Sequence, residues 1–265
     1  FDFSPDALYH PWMVQTFLHQ IDLAISWSKK EFSHFPWRKK RSFYHTLVSE
    51  IMLQQTTVTT VLNRFENFIQ QFPDLASLSN ADSADLLRAW QGLGYYRRAK
   101  RLQGAAQALA QKGKVKMSVA ALMQIPGLGD YTANAIVAIG YNRPALAIDA
   151  NIERVLLRYW GEKKLQANSL NLRQAIKTFF EAELQSKITD FRAFHEALMD
   201  VGRTYCQARS TACLQCPLKS GCFSIDQKDD PYLKVIKAKK AKLQKKSVVL
   251  WRHFIYKNKK LFLVQ

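Results

Sequence analysis

From residue 12 to residue 205 the apolar residues of this chain recur at three- and four-residue intervals, and nothing before residue 245 alternates as a half-buried strand. A chain patterned in this way buries its apolar stripes by packing helix on helix, so an all-α body is expected. Periodicity and punctuation place helices over 12–32, 43–55, 58–72, 82–90, 96–111, 118–124, 131–140, 151–159, 170–184 and 191–205. Pro36 and Pro73 mark breaks, and polar runs at Ser79-Asn80-Ala81-Asp82 and Asn168-Ser169 offer N-cap oxygens to the helices that follow.

A length of 265 residues allows one large domain or two packed ones. Apolar residues at 48% and charged residues at 23% are ordinary for a globular protein, and no apolar run approaches the roughly 20 residues that span a bilayer. The opening FDFSPDALYHPW has no basic stretch followed by an apolar one, so no secretory signal is expected there. Composition changes after Asp230, where KVIKAKKAKLQKK carries seven lysines in thirteen residues, and a basic linker is expected over 231–246. Beyond it, VVLWRHFIY and LFLVQ flank Lys257-Asn258-Lys259 and read as a hairpin, the start of an incomplete β-containing domain over 247–265. The net charge of +18 is concentrated in the same region, since residues 231–265 hold eleven Lys or Arg and no acid. Such a balance attracts polyanions, nucleic acid first and anionic membrane second, although solubility alone would also account for it.

All four cysteines fall within seventeen residues, Cys206, Cys213, Cys216 and Cys222, spaced C-x6-C-x2-C-x5-C. With no export signal expected, metal is favoured over two disulfides. Four thiolates can hold zinc or a [4Fe–4S] cluster, and the tight loop with Pro217 after the third cysteine favours the cluster.

The segment LMQIPGLGDYTANAIVAIG, residues 122–140, reads as a helix, a tight turn bearing Gly127 and Gly129, and a second helix. Glycines let backbone approach a phosphate, and amides opening the next helix can bind it without reading sequence. Twenty residues beyond Gly129 stands Asp149, just ahead of the next helix, where it can serve as an N-cap or carry chemistry. Glu50 lies among Leu47, Val48, Ile51 and Leu53, and a carboxyl on such a face is expected to hold its proton near neutrality unless it points to solvent.

Hairpin, Asp and cysteine loop occur in the order found in the helix–hairpin–helix DNA glycosylases. Within that group PWR at 36–38, SEIMLQQT at 49–56, GLGYYRRA at 92–99 and FHEALMDVG at 194–202 resemble the MutY-type adenine-DNA glycosylases. The resemblance covers about residues 10–225. It implies a two-lobed fold with a six-helix lobe over about 43–150, and a second lobe formed by the N-terminal helix with about 151–230. That second lobe would carry a [4Fe–4S] cluster on the four cysteines, and 247–265 would begin a Nudix-like domain.

By the same resemblance, Glu50 is the general acid toward adenine N7 and then activates water, Asp149 stabilises the positive sugar electrostatically or as a transient covalent partner, and Tyr131 supports that site by hydrogen bonding. Glycosylase–lyases of the endonuclease-III type place a lysine where Tyr131 stands, because an amine must attack the sugar C1′; tyrosine implies a glycosylase that leaves the backbone intact. Gln55 and Tyr96 would enter the duplex as wedges, Gly127 and Gly129 would meet a phosphate, and Trp37, Arg38 and Glu196 would line the adenine pocket. The implied partner is double-stranded DNA with adenine opposite 8-oxoguanine or guanine, bound by a monomer and not at a membrane. The expected location is the nucleoid-containing cytoplasm in a prokaryote, or otherwise the nucleus or mitochondrion. With the Nudix-like domain incomplete, adenine excision is expected to survive and preference for the oxidised partner to weaken. Two departures stand out: Ala150 where members usually carry Gly after the catalytic Asp, and Ser42-Phe43 where they carry Asp-Pro. The competing readings are an endonuclease-III-like enzyme acting on oxidised pyrimidines, disfavoured by Tyr131, and a non-catalytic DNA-binding or redox-sensing module, disfavoured by the presence of both carboxyls.

Overall fold

A computed structural model of the chain describes residues 11–113, 115–165, 171–227, 230–234, 254–257 and 260–263. Twelve α-helices were found among them: α1 (Pro11–Phe32), α2 (Pro36–Lys39), α3 (Phe43–Leu53), α4 (Val58–Gln71), α5 (Leu75–Ser79), α6 (Ser83–Ala89), α7 (Arg97–Lys112), α8 (Val119–Leu122), α9 (Asp130–Ala135), α10 (Ala150–Leu165), α11 (Leu172–Phe179) and α12 (Phe191–Thr204). α9 and α11 each run on into a π-helical turn, Ile136–Gly140 and Phe180–Leu184, so the expected helices over 131–140 and 170–184 are present with their last turn widened. The short α2 and α5 were not anticipated. The first starts on Pro36, whose fixed φ suits a first helical turn, and the second on a reciprocal cap between Asp74 and Ser77.

Side-chain caps set most of the starts. Ser42 accepts from the His45 N–H at 3.1 Å, Asp82 from Ala84 at 2.7 Å and Asp190 from Ala193 at 2.9 Å. The departure at Ser42 therefore keeps the capping function that an Asp would supply. The expected cap at Asn168-Ser169 lies outside the described residues.

The helices pack in two groups. α3 is the centre of the first, against α4, α7, α9 and the Ile136–Gly140 turn, with α5 on α7 and α8 on α9. In the second, α1 lies along α12, α12 on α10, and α10 against α11 and the 3-10 turn Phe223–Asp226. The Ile136–Gly140 turn also packs on α12, joining the two. Trp90, Phe65 and Phe68 are fully buried in the first group, Trp160, Phe17, Phe180 and Phe194 in the second. Burial of one such side chain contributes on the order of 2–3 kcal/mol, and the buried residues of the two groups join in one continuous core. The first residues of the expected linker are packed: Pro231 is buried, 231–234 form a helical turn, and the Tyr232 ring lies under the guanidinium groups of Arg154 and Arg158 at 5.7 and 5.5 Å. Arg158 holds Asp230 with two bonds of 3.1 Å and one of 2.5 Å, and that pairing draws the first residues of the basic run onto α10. The rest of the expected linker, 235–246, lies outside the described residues. Phe254–Lys257 (β1) and Lys260–Leu263 (β2) pair antiparallel, with Phe254 opposite Leu263, as the hairpin pattern predicts.

Candidate active site between the two helix groups

A cleft of about 1060 Å³ opens where the two groups meet. It collects Trp37, Arg38, Glu50, Gln55, Tyr131, Asp149 and Glu196, seven residues that sequence reasoning singled out from five separate segments.

Glu50 sits on the last half of α3 and is 7% exposed. Burial pushes its pKa up from the usual 4.5 to about 7, with the nearby Asp149 and Glu196 carboxylates adding to the rise. The Tyr131 hydroxyl, which donates to Glu50 Oε2 at 2.7 Å, and the Arg38 guanidinium act against it. Tyr131 itself is held in its phenol form, well above the usual value, by burial and then by Glu50 and Asp149. It therefore acts as a fixed donor. Asp149 occupies the cap position of α10, its Oδ1 accepting from the Ile152 N–H at 2.7 Å and its Oδ2 from Asn151 Nδ2 at 2.8 Å. Burial raises its pKa also, but those bonds and the Arg154 charge all favour the anion. The two readings of Asp149, cap and chemical group, are compatible, because capping leaves lone pairs on both oxygens. Ala150 is the first residue of α10 and is absent from the left-handed residues, so the turn places no demand on a glycine there.

Three supports were not anticipated. His195 is fully buried; its Nε2 accepts from the Ala147 N–H at 3.1 Å, which leaves Nδ1 to donate to the Phe191 carbonyl at 2.6 Å. Burial lowers its pKa to about 4, so it stays neutral and pins the strand-like approach to Asp149 against α12. Gly202 lets α12 approach α10: a Cβ there would lie 2.5 Å from the Asn151 Cβ. Arg154 completes the contact, donating to Asn151 Oδ1 at 2.7 Å, Gly202 O at 2.8 Å and Cys206 O at 2.5 Å.

At the other wall, Trp37 lines the cleft and also packs edge-on against Phe65 at 5.6 Å, so it is both pocket and core. The Arg38 fork is committed to Asp200, with bonds of 2.8 and 3.1 Å, while Glu196 is paired with Arg41, one bond being 2.9 Å. Asp200 also accepts from Ser28 at 2.5 Å and from Arg203 at 2.9 Å. Arg41 and Asp200 had no sequence signal beyond their type, since Glu196 and Arg38, their partners, lie far off in the chain.

The wedge candidates divide. Gln55 is exposed at the cleft and sits in the left-handed region at φ 55°. Tyr96 is half-exposed at the start of α7 but does not line the cleft, whereas Tyr95, with φ 46°, does. Gly127 has φ 90°, and a Cβ on it would meet the Arg101 carbonyl at 2.8 Å, so glycine is required by the packing of the hairpin turn. Gly129 opens α9 with free space around it. Exposed Arg97, Arg101 and Arg173 ring the cleft with positive charge.

The four cysteines are free thiols bordering a separate cavity of about 170 Å³. Burial pushes the Cys216 and Cys222 thiols up to about 12 and 11, and raises Cys206 against the pull of Arg158, whose Nη1 lies 3.3 Å from Cys206 Sγ. Among the described residues no group of His, Cys, Asp or Glu is drawn together tightly enough for a single metal ion. The donor set, four sulfurs around a volume much larger than one ion, suits a [4Fe–4S] cluster better than zinc. Among the described residues no helix is long and apolar enough to cross a membrane.

Residues 48–181 match the model of the HhH-GPD superfamily base excision DNA repair proteins. The chain is 38% identical to the adenine DNA glycosylase of Buchnera aphidicola subsp. Baizongia pistaciae over 71% of its length, and 33% identical to that of the subspecies Schizaphis graminum over 81%. It spans 53% and 61% of those relatives' own length. The human adenine DNA glycosylase is 33% identical over 75% of this chain and 38% of its own. Among solved structures, a thermostable thymine-DNA glycosylase superposes with a TM-score of 0.68 at 23% identity, covering 79% of this chain and 97% of that one. A trapped endonuclease III–DNA covalent intermediate gives 0.60 at 23%, covering 78% and 95%. At those identities the superpositions speak for the fold. Taken with the family match across half of the sequence, they establish that the chain belongs to the HhH-GPD superfamily of base excision DNA repair proteins.

Proposed function

We propose that this chain is the catalytic part of a monofunctional adenine-DNA glycosylase, acting as a monomer on double-stranded DNA with adenine opposite 8-oxoguanine or guanine. The observation that carries this reading is the pairing of a buried Glu50, whose pKa raised to about 7 leaves it about half protonated at neutral pH, with Asp149 in the same cleft. Burial raises Asp149 too, but its hydrogen bonds and the Arg154 charge act for the anion, and an acid beside a carboxylate is what cleavage through an oxocarbenium-like sugar requires.

Adenine swings out of the stack into the cleft, a step that unstacking makes costly and that residues entering the duplex would sustain. Glu50 gives its proton to N7, the C1′–N9 bond breaks with its electron pair going to adenine, and the Asp149 anion stabilises the cationic sugar. Glu50, now ionised and held by the Tyr131 hydroxyl, takes a proton from water as its oxygen joins C1′. The products are free adenine and an abasic site. Tyr131, held as a phenol, has no amine with which to form a Schiff base, which supports a reaction that stops at base removal. Cys206, Cys213, Cys216 and Cys222 would hold the [4Fe–4S] cluster, whose iron–sulfur bonds would cross-link the loop that carries all four. The hairpin of β1 and β2 fits the start of the Nudix-like domain.

The test is single-turnover incubation with a duplex carrying one adenine opposite 8-oxoguanine, with and without hot alkali. Strand cleavage at the adenine that requires alkali is the expected result. Cleavage without alkali would show a lyase, and no cleavage under either condition would overturn the reading.

A further inference from the structure

Arg98 is 5% exposed, yet none of the bonds its guanidinium makes among the described residues is to a carboxylate. Its partners are backbone carbonyls of two adjoining turns and one side-chain hydroxyl, in segments that line the cleft. Nη1 donates to the Ile51 and Met52 carbonyls, both at 2.9 Å, and to that of Gln54. Nη2 donates to the Leu93 carbonyl at 2.7 Å, the Gly94 carbonyl at 3.2 Å and Thr56 Oγ1 at 2.8 Å. Thr56 closes the bridge, its hydroxyl lying 3.2 Å from the Leu93 carbonyl.

The first three carbonyls belong to the end of α3, where a helix leaves acceptors unmatched and a cation is favoured. Leu93 and Gly94 belong to the turn that leads into α7, and Thr56 to the turn that follows α3. Each turn contains one non-glycine residue in the left-handed region, Gln55 at φ 55° and Tyr95 at φ 46°, and both project at the cleft. Such backbone persists only where surrounding bonds fix it. The guanidinium provides that fixing for both turns together, because its planar fork reaches acceptors on two sides; an ammonium, a point charge with three donors, cannot span the same set.

We propose that Arg98 is a positioning residue for base extrusion, holding the Gln55 and Tyr95 turns in the one relative placement in which both can enter the duplex. This rests on the glycosylase reading above. It assigns to Arg98 the step before chemistry: Glu50, Tyr131 and Asp149 make no bond to it.

The experiment compares single-turnover excision, at saturating full-length chain, from two duplexes. In one, adenine pairs with 8-oxoguanine; in the other it faces an abasic site, where extrusion costs less. Arg98→Lys is expected to slow the paired substrate by roughly tenfold or more and the abasic-facing one by less than about threefold, the size of loss that misplacement of positioning groups brings. Thr56→Val removes the bridging hydroxyl while keeping the side-chain shape, and is expected to show the same selective loss on a smaller scale. It decides the matter if Arg98→Lys does not fold by its thermal melt. Equal slowing on both duplexes, or none, in a folded variant would overturn the inference while the glycosylase reading stands. A wild-type chain that excises from neither duplex would instead sink that reading, and this one with it.

Discussion

Glu50 is a carboxyl whose folded pKa, about 7, lies above its usual 4.5 because burial disfavours the anion. The native state therefore keeps a proton that the unfolded chain releases between those values. Its contribution to stability is complete below about pH 4.5 and is lost as pH rises through 7. Glutamine cannot ionise, so Glu50→Gln is expected to match the wild type near pH 4 and to exceed it at pH 8, by on the order of 3 kcal/mol. Urea unfolding at the two pH values checks this; a variant no more stable than wild type at pH 8 would mean that Glu50 is not held protonated by its surroundings. His195 has the opposite sign. Its depressed pKa of about 4 means that its contribution is present near neutrality and fades as pH falls from the ordinary histidine range.

At the scale of elements, the wall formed by α1, α2 and α12 is held by ion pairs rather than by apolar contact alone. Ser28, Arg38 and Arg203 converge on Asp200, which is 1% exposed. Removing one partner of such a group leaves a buried charge uncompensated, so Asp200→Ala is expected to cost about 3–5 kcal/mol, read as a lower denaturation midpoint. A loss under about 1 kcal/mol would mean that solvent reaches Arg38 freely. Long helices with strong periodicity, such as α1, α4 and α12, were legible from spacing alone. The four-residue α2 and five-residue α5 were not, since one turn is too short to show a period. Nor was the helical turn over 231–234, which follows the Arg158–Asp230 pairing. The wedge assignment to Tyr96 rested on resemblance; the residue of that pair that lines the cleft is Tyr95, in a left-handed turn. Arg41 and Asp200 escaped notice because Glu196 and Arg38 lie 155 and 162 positions away in sequence, and sequence spacing carries no information about such contacts.

Across the whole molecule, the cleft joins residues from α2, α3, α9, α10 and α12, and it lies where two groups of helices that share one core meet. That arrangement lets each carboxyl be set by a different body. α3 buries Glu50 among apolar neighbours, while the start of α10 gives Asp149 the amide donors that favour its anion. The four-cysteine loop stands behind α10, tied to it through Arg154 and Arg158, and so braces the body that carries Asp149. The carboxyls, hairpin and cysteines were all legible as local patterns; that they act on one cleft is a property of the packing. The measurement that bears most directly on this account is the pH profile of single-turnover adenine excision by the wild-type chain and by Glu50→Gln. The account predicts a wild-type rate that declines tenfold per unit once pH rises well above about 7, and a variant with no measurable excision at any pH. A wild-type rate flat to pH 9, or a variant that retains it, would contradict Glu50 as the acid.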